Sequence, residues 1–237
     1  MSRSVSVNSK PRAFSVSQYT PLVLAAKDAF SSPQDVVEIL RYCAVLSVRF
    51  NGVSRRSTHL LEEIYNRAAL EIRRGTSKNL AAVRQSLRPI YIPDEEFESD
   101  FAALRLRNRS TSGKRLRYIL AKIEKQLSGA DITDEGMTAT VEHILPENPG
   151  EVGWEHFTAE AHERSYERVG NYSLLERGLN GQQAGNAAFA QKQNVYAQSQ
   201  YRTSKDLNQF TDWTEETIAK RQADMAKVAK AIWALTF

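Results

Sequence analysis

The sequence predicts a mainly α-helical protein, with a short strand, loop, strand and helix unit embedded in its C-terminal half. Two observations indicate this fold class. Apolar residues recur at helical spacing in successive segments up to about residue 130, and helix start or stop signals bound these segments. The pattern then changes to a brief alternation rich in β-branched residues, which is typical of a strand. With 237 residues, of which 41% are apolar, the chain is long enough to bury a substantial core.

Helix boundaries are clearest in the first half of the chain. Ser32 is a good N-cap residue, Pro33 fits the first helical turn, and Asp35 lies where the helix dipole favours an acid. Gly75 ends a second helical pattern. We expect helices whose apolar residues span 36–46, 60–72, 80–87, 97–104 and 116–127. Residues 1–13 are basic and Ser-rich without an apolar run, and they predict a flexible tail rather than a secretory signal.

The second half combines strands and helices. The alternating stretch at 138–144 predicts one strand, and the apolar residues at 172–175 predict another. Helices are expected over 158–169, over 186–196, and from Asp212 or Thr214 towards the end of the chain. The predicted organisation is a tail at 1–13, a basic helical region at 14–130 and a C-terminal domain at 131–237.

Two absences in the sequence limit the class of protein. No run of eighteen apolar residues occurs, so no transmembrane helix is predicted. Cys43 is the single cysteine, which excludes an internal disulfide and a multi-cysteine zinc site. Its apolar neighbours predict a small core residue rather than a catalytic thiol. A cytoplasmic location fits this composition.

Charge is distributed unevenly along the chain. Residues 1–130 contain 22 Lys and Arg against 12 Asp and Glu, whereas residues 131–237 contain 10 against 16. A basic part beside an acidic part is expected if one binds a polyanion and the other a cation. The alternative is that surface charge varies by chance.

Six cations fall within residues 105–117, with no acid between them and with Asn, Ser and Thr donors interspersed. Cations with small polar donors suit phosphate oxygens, which require charge and hydrogen bonds but no base readout. The alternative is a solvated charged face. The candidate nucleic-acid-binding residues are Arg105, Arg107, Arg109, Lys114, Arg115 and Arg117.

The adjacent Glu142 and His143, at the end of the first predicted strand, form the strongest candidate for chemistry. Strand neighbours point to opposite faces, but at a bend both side chains can reach one cleft. Carboxylate and amide oxygens suit Mg²⁺ or Mn²⁺, and histidine is the usual general base near neutral pH. A divalent ion with one histidine is sufficient for phosphodiester hydrolysis.

These residues resemble a known family. The stretch EHILP at 142–146 is similar to the opening motif of HNH (His-Me finger) nucleases, and GNYSLL at 170–175 is similar to their middle motif. Asn180 follows Asn171 by nine residues, at the spacing of the third motif position. More narrowly, residues 138–237 resemble the C-terminal nuclease domain of GmrSD-type restriction enzymes and of related phage-defence proteins of the SspE type.

The resemblance implies a ββα-metal unit and a role for each motif residue. His143 would be the general base, and Glu142 and Asn180 would hold Mg²⁺ or Mn²⁺. Asn171 would orient the loop that carries the histidine. Lys192 would hold the scissile phosphate or the leaving group. We expect a further residue, Asn186, to be structural and to cap the helix that follows it.

The function implied is metal-dependent cleavage of DNA, with nicking favoured by a single site per chain, in defence against foreign DNA. In such proteins a nucleotide-hydrolysing domain usually comes first, so the resemblance implies the C-terminal part of a longer protein. Three alternatives stay open: RNA as the substrate, a non-catalytic nucleic-acid-binding module, and a module that only docks a partner.

Overall fold

The computed structural model describes residues 17–130, 132, 139–150 and 152–237. Over these residues the protein is mainly helical with one small two-stranded sheet, as predicted. The first helices are α1 (Thr20–Ala29), α2 (Pro33–Leu46), α3 (Thr58–Arg73), α4 (Leu80–Leu87), α5 (Asp94–Ala102) and α6 (Ser110–Ser128). Strand β1 (Ala139–His143), helix α7 (Ala159–Ser165) and strand β2 (Tyr172–Glu176) follow. The remaining helices are α8 (Arg177–Leu179), α9 (Phe189–Tyr196), α10 (Arg202–Lys205) and α11 (Glu215–Ile232).

The chain divides into two compact units. One contains the described residues up to Phe97 together with Trp233–Phe237, and the other is Glu98–Ile232. Every residue proposed for chemistry or nucleic-acid binding lies in the second unit, and so does position 130, where the sequence suggested a boundary. In none of the described helices is an apolar stretch long enough to cross a membrane.

The first unit is built around a buried arginine. A π-helical segment, Ser47–Val53, continues α2 and carries Arg49, whose side chain is fully buried. The guanidinium donates to the carbonyl oxygens of Ile92 and Trp233, both at 2.9 Å, and to Asp94 Oδ1 at 2.6 Å. It also lies over the ring of Phe97. Several charge-assisted bonds therefore compensate the burial of this cation.

The second unit contains the sheet and an aromatic core. Strands β1 and β2 are antiparallel, with Val141 opposite Leu174 and His143 opposite Tyr172. Behind the sheet a cluster of buried side chains connects the loop after β1 with β2 and the C-terminal helices. Its members include Ile144, Leu145, Trp154, Leu175, Phe189, Tyr196 and Trp213. The tryptophans are therefore core residues rather than base-stacking platforms.

Helix α6 differs from its predicted extent. It begins at Ser110, not near residue 116, so part of the cationic stretch is helical rather than a turn around Gly113. It ends as predicted, since Gly129 has φ +76° in the left-handed region that favours glycine. Leu127, expected on the buried face, is 36% exposed because it lies in the last turn.

Other predicted boundaries shift by a few residues. Strand β1 covers the predicted stretch from Ala139, whereas Thr138 and most of the polar loop before it lie outside the described residues. Helix α7 is shorter than the predicted 158–169, and Thr158 caps it by accepting a bond from Ala161 N at 3.2 Å. The tail predicted at 1–13 also lies outside the described residues.

Gly170, which precedes β2, packs directly against α11. A Cβ atom at this position would lie 2.5 Å from the carbonyl oxygen of Ile218 and 2.8 Å from Cβ of Gln222. We expect Gly170→Ala to lower the free energy of unfolding by about 2–3 kcal/mol, since backbone must move to relieve the clash. Thermal unfolding measures this loss. Gly178→Ala is the matched control, because no atom lies within 4 Å of the added carbon, and a thermal midpoint equally low in both variants would contradict the packing described.

Candidate active site

Three of the motif residues, Glu142, His143 and Asn180, line one cleft at the end of β1. Its volume is about 220 Å³. Glu142 and His143, adjacent on the strand, both reach it, and Asn180 approaches from the π-helical segment Asn180–Ala184 after α8. The cleft is lined by Val141, Glu142, His143, Pro146, Glu147, Asn148, Asn180, Gly185 and Asn186. The structure thus brings the predicted base and both predicted metal ligands together.

Asn171 fixes the loop that follows His143. Its Oδ1 accepts bonds from Leu145 N at 2.8 Å and from Trp213 Nε1 at 3.0 Å. Its Nδ2 donates to the carbonyl oxygens of Leu145 at 2.9 Å and Tyr166 at 3.1 Å. The side chain is fully buried, so it acts by positioning the loop rather than by touching a substrate.

The electrostatic environment keeps the His143 imidazole neutral. Its ring contacts the ring of Tyr172 edge-on, with centroids 4.6 Å apart. Burial lowers the pKa of His143 to about 4, Glu147 opposes this shift, and the positive charges of Lys192 and Arg109 add to it. At neutral pH the ring is therefore in the form that can accept a proton.

Lys192 is fully buried and does not line the cleft, and its expected role in holding the scissile phosphate or the leaving group stays a prediction. Its side chain has 0% exposure, and Nζ donates to Glu142 Oε1 and to the carbonyl oxygen of His143, both at 2.7 Å. Tyr196 donates its hydroxyl to the same carboxylate oxygen at 3.0 Å. Burial raises the pKa of Glu142, and the Lys192 ammonium opposes that shift. Lys192 therefore holds the Glu142 carboxylate and the backbone of His143.

The oxygen donors at the cleft fit a hard divalent cation. Both side chains that bond to the Glu142 carboxylate donate to Oε1. Asn180 Nδ2 donates to Thr140 Oγ1 at 2.8 Å and to the carbonyl oxygen of Val141 at 3.3 Å, which leaves Oδ1 as the atom it offers. Within the described part of the chain, no three His, Cys, Asp or Glu side chains form a group that could hold a metal ion. Carboxylate and amide oxygens are ligands that suit Mg²⁺ and Mn²⁺.

Asn186 is not a helix cap. Helix α9 begins at Phe189, its N-cap residue is Ala188, and no side chain caps it. Asn186 instead lines the cleft, while its carbonyl oxygen accepts a bond from Trp154 Nε1 at 3.4 Å. An Asn shortly before a helical pattern is compatible with either role, so the sequence alone did not separate them.

The sequence reasoning also missed Glu147 and Asn148, which directly follow the EHILP motif and line the cleft. His162 helps to fix this loop, since its Nε2 lies 2.8 Å from the carbonyl oxygen of Pro146. The available signal was that these two residues directly follow the motif in the sequence. Polar residues just after a motif at a strand end often border the same cleft.

Two of the candidate nucleic-acid-binding arginines, Arg105 and Arg107, alternate with the buried Leu104 and Leu106 in the segment before α6, and Arg109 follows Asn108. Leu106 N donates to the carbonyl oxygen of Glu167 at 2.9 Å, which pins the segment to the chain before β2. Arg105 and Arg107 form ion pairs with Glu167, at 3.6 Å and 2.7 Å. Each of these cations therefore already has an acidic partner.

The other three candidates lie in the first two turns of α6. Lys114 and Arg117 are exposed, and Arg115 is half-buried. The first turn of this helix carries no acid, so these cations add to the positive end of the helix dipole. This arrangement disfavours the helix slightly but strengthens attraction of an anion.

Residues 91–228, more than half of the chain, match the family model described as "GmrSD restriction endonucleases, C-terminal domain". A comparison with curated proteins gives no match. The chain belongs to the family of GmrSD restriction endonuclease C-terminal domains.

Proposed function

We propose that this protein is a metal-dependent DNA endonuclease that acts in restriction of foreign DNA, and that β1, β2 and the segment through α9 form a ββα-metal unit of the HNH type. One observation carries the proposal: the adjacent Glu142 and His143 line the same cleft as Asn180, which lies far from them in the sequence. Membership in a family named for restriction endonucleases supports the same function.

In the proposed reaction His143 takes a proton from a water molecule as the water oxygen attacks phosphorus. The new phosphorus–oxygen bond forms while the ester bond to the leaving oxygen breaks. A Mg²⁺ or Mn²⁺ ion held by Glu142 and Asn180 would stabilise the negative charge on the phosphate and leaving oxygens. Asn171 keeps the loop after the histidine in place, and Lys192 fixes the carboxylate.

We propose DNA backbone binding by the cationic residues of 105–117. Such binding depends on phosphate charge, so affinity should fall steeply with salt and depend little on base sequence. A single HNH-like motif set in the sequence favours a nick in one strand over a double-strand break. The domains proposed for these roles are the basic helical region at 14–130 and the nuclease domain at 131–237.

A plasmid assay tests the proposed function. We expect supercoiled DNA to become open-circular with Mg²⁺ or Mn²⁺ and to stay intact with EDTA, because hydrolysis at neutral pH needs charge stabilisation at the phosphate. RNA of equal length, incubated in parallel, tests the substrate class. Retention of DNA without cleavage under any metal would identify a binding module instead. Salt-insensitive behaviour without DNA retention would identify a docking module.

A further inference from the structure

The cleft contains acids and amides but lacks resident positive charge. Among the described residues that line it, none is Lys or Arg. Lys192, the cation nearest to the carboxylate, is fully buried and already bonded to it. Phosphodiester cleavage adds negative charge to the phosphate oxygens in the transition state, and nuclease sites stabilise this charge with cationic side chains as well as metal ions. A cationic side chain that reaches the cleft from outside this lining would supply such a charge.

Arg109 is placed to supply this positive charge at the cleft. The Arg109 guanidinium forms an ion pair with Glu147, which itself lines the cleft beside His143. Both side chains remain accessible, at 72% exposure for Arg109 and 42% for Glu147. Arg107, two residues earlier, pairs instead with Glu167, which lies outside the cleft lining.

The backbone around Arg109 is fixed, so only its side chain has to move. The carbonyl oxygen of Arg109 accepts a bond from Gly113 N at 2.9 Å, at the start of α6. The segment before it is held by Leu106, whose carbonyl oxygen accepts a bond from the Tyr172 hydroxyl at 2.8 Å. Tyr172 in turn contacts the His143 ring. These contacts link the backbone position of Arg109 to the position of the His143 ring.

We propose that Arg109 is the phosphate clamp of the cleft and that Glu147 holds it in readiness: when DNA enters, Arg109 leaves Glu147 and binds a non-bridging oxygen of the scissile phosphate. This inference rests on the proposed nuclease function. Breaking the Arg109–Glu147 ion pair costs little free energy, because an exposed ion pair contributes little to stability. Binding of Arg109 to the phosphate is favourable because arginine binds phosphate through two parallel hydrogen bonds.

The first test is Arg109→Ala, assayed on plasmid DNA with Mg²⁺. We expect kcat to fall by about 100-fold or more, with a smaller change in KM, because the lost contact strengthens in the transition state. Arg164→Ala is the matched control, since Arg164 is also exposed and paired with a glutamate, Glu215, on other elements. It should cleave like wild type. Arg109→Lys should recover only part of the rate, because lysine cannot form the two-bonded contact.

The second test is Glu147→Gln, followed by DNA binding in EDTA and by cleavage in Mg²⁺. Without the acidic partner, DNA affinity should rise by about two- to fivefold, the range expected from loss of one exposed competing ion pair. Cleavage should fall less than in Arg109→Ala, because Glu147 acts only by positioning Arg109. Complete loss of cleavage in Glu147→Gln would overturn the proposal, because it would make the carboxylate itself part of the chemistry.

The outcomes separate this inference from the proposed function. If wild type cleaves, His143→Ala does not, and Arg109→Ala retains the wild-type kcat, the clamp is wrong and the nuclease assignment stands. If Arg109→Ala raises only KM, Arg109 is an ordinary backbone contact and the proposal fails. If wild type cleaves neither DNA nor RNA with any metal, the proposed function and the clamp fail together.

Discussion

Replacing His143 with alanine is expected to lower the rate of DNA cleavage by about two to four orders of magnitude, which is the usual contribution of a general base. The prediction follows from the position of His143 in the cleft and from the neutral form of its ring. His143 lines the cleft together with both candidate metal ligands. Burial keeps its ring neutral, so that the ring can accept a proton. The measurement is the initial rate of nicking of supercoiled plasmid, with DNA affinity measured separately by fluorescence anisotropy.

The control for this variant is His59→Ala, on the exposed side of α3 in the other unit. It should cleave at the wild-type rate. DNA affinity should be nearly the same in His143→Ala and wild type, because the proposed DNA contacts lie in residues 105–117. Cleavage by His143→Ala within about threefold of wild type would remove the general-base role and, with it, the chemistry proposed for the cleft.

Lys192→Met is expected to lower the free energy of unfolding by about 3–5 kcal/mol, the usual result of removing one partner of a buried ion pair. Glu142 is only 3% exposed, so its charge would be left without its main compensation. The double variant Lys192→Met/Glu142→Gln should regain most of the lost stability, because it buries no net charge. Thermal and urea unfolding of the single and double variants measure this coupling.

Lys220→Met controls for the loss of a lysine as such, because Lys220 is exposed on α11 and its replacement should change stability by less than about 0.5 kcal/mol. The stability of the single and double variants distinguishes two roles for Lys192, which are support of the Glu142 carboxylate and binding of a phosphate. If Lys192 held a phosphate, the single variant would fold with wild-type stability and only cleavage would suffer. A stable, inactive Lys192→Met protein would support the role that the resemblance implies for Lys192, which is to hold the scissile phosphate or the leaving group.

The central residues of the candidate site could be predicted from sequence because their signals are local. The alternation at 138–144 and the apolar residues at 172–175 predict two strands, and their antiparallel pairing sets His143 opposite Tyr172. A strand end then places Glu142 and His143 at one cleft. The fixed spacing from Asn171 to Asn180 adds the third position, so these residues could be proposed together.

The remaining features depend on contacts between residues far apart in the sequence. Lys192 follows the helical pattern of α9, and nothing nearby shows that its ammonium reaches back to Glu142. The pairing of Arg109 with Glu147 likewise joins α6 to the loop after β1. Gly113 resembled a turn residue, yet α6 runs through it, because a glycine near a helix start costs little when the rest of the helix is well packed.

The most direct test of the central claim is the dependence of the nicking rate on Mn²⁺ concentration, measured for wild type and for Asn180→Ala. If Asn180 Oδ1 and Glu142 hold the ion, the wild-type rate should rise to a plateau. Asn180→Ala should then need at least about tenfold more Mn²⁺ to reach half of its own plateau. An identical metal dependence in the two proteins, or cleavage that persists in EDTA, would contradict a metal-dependent nuclease centre at this cleft.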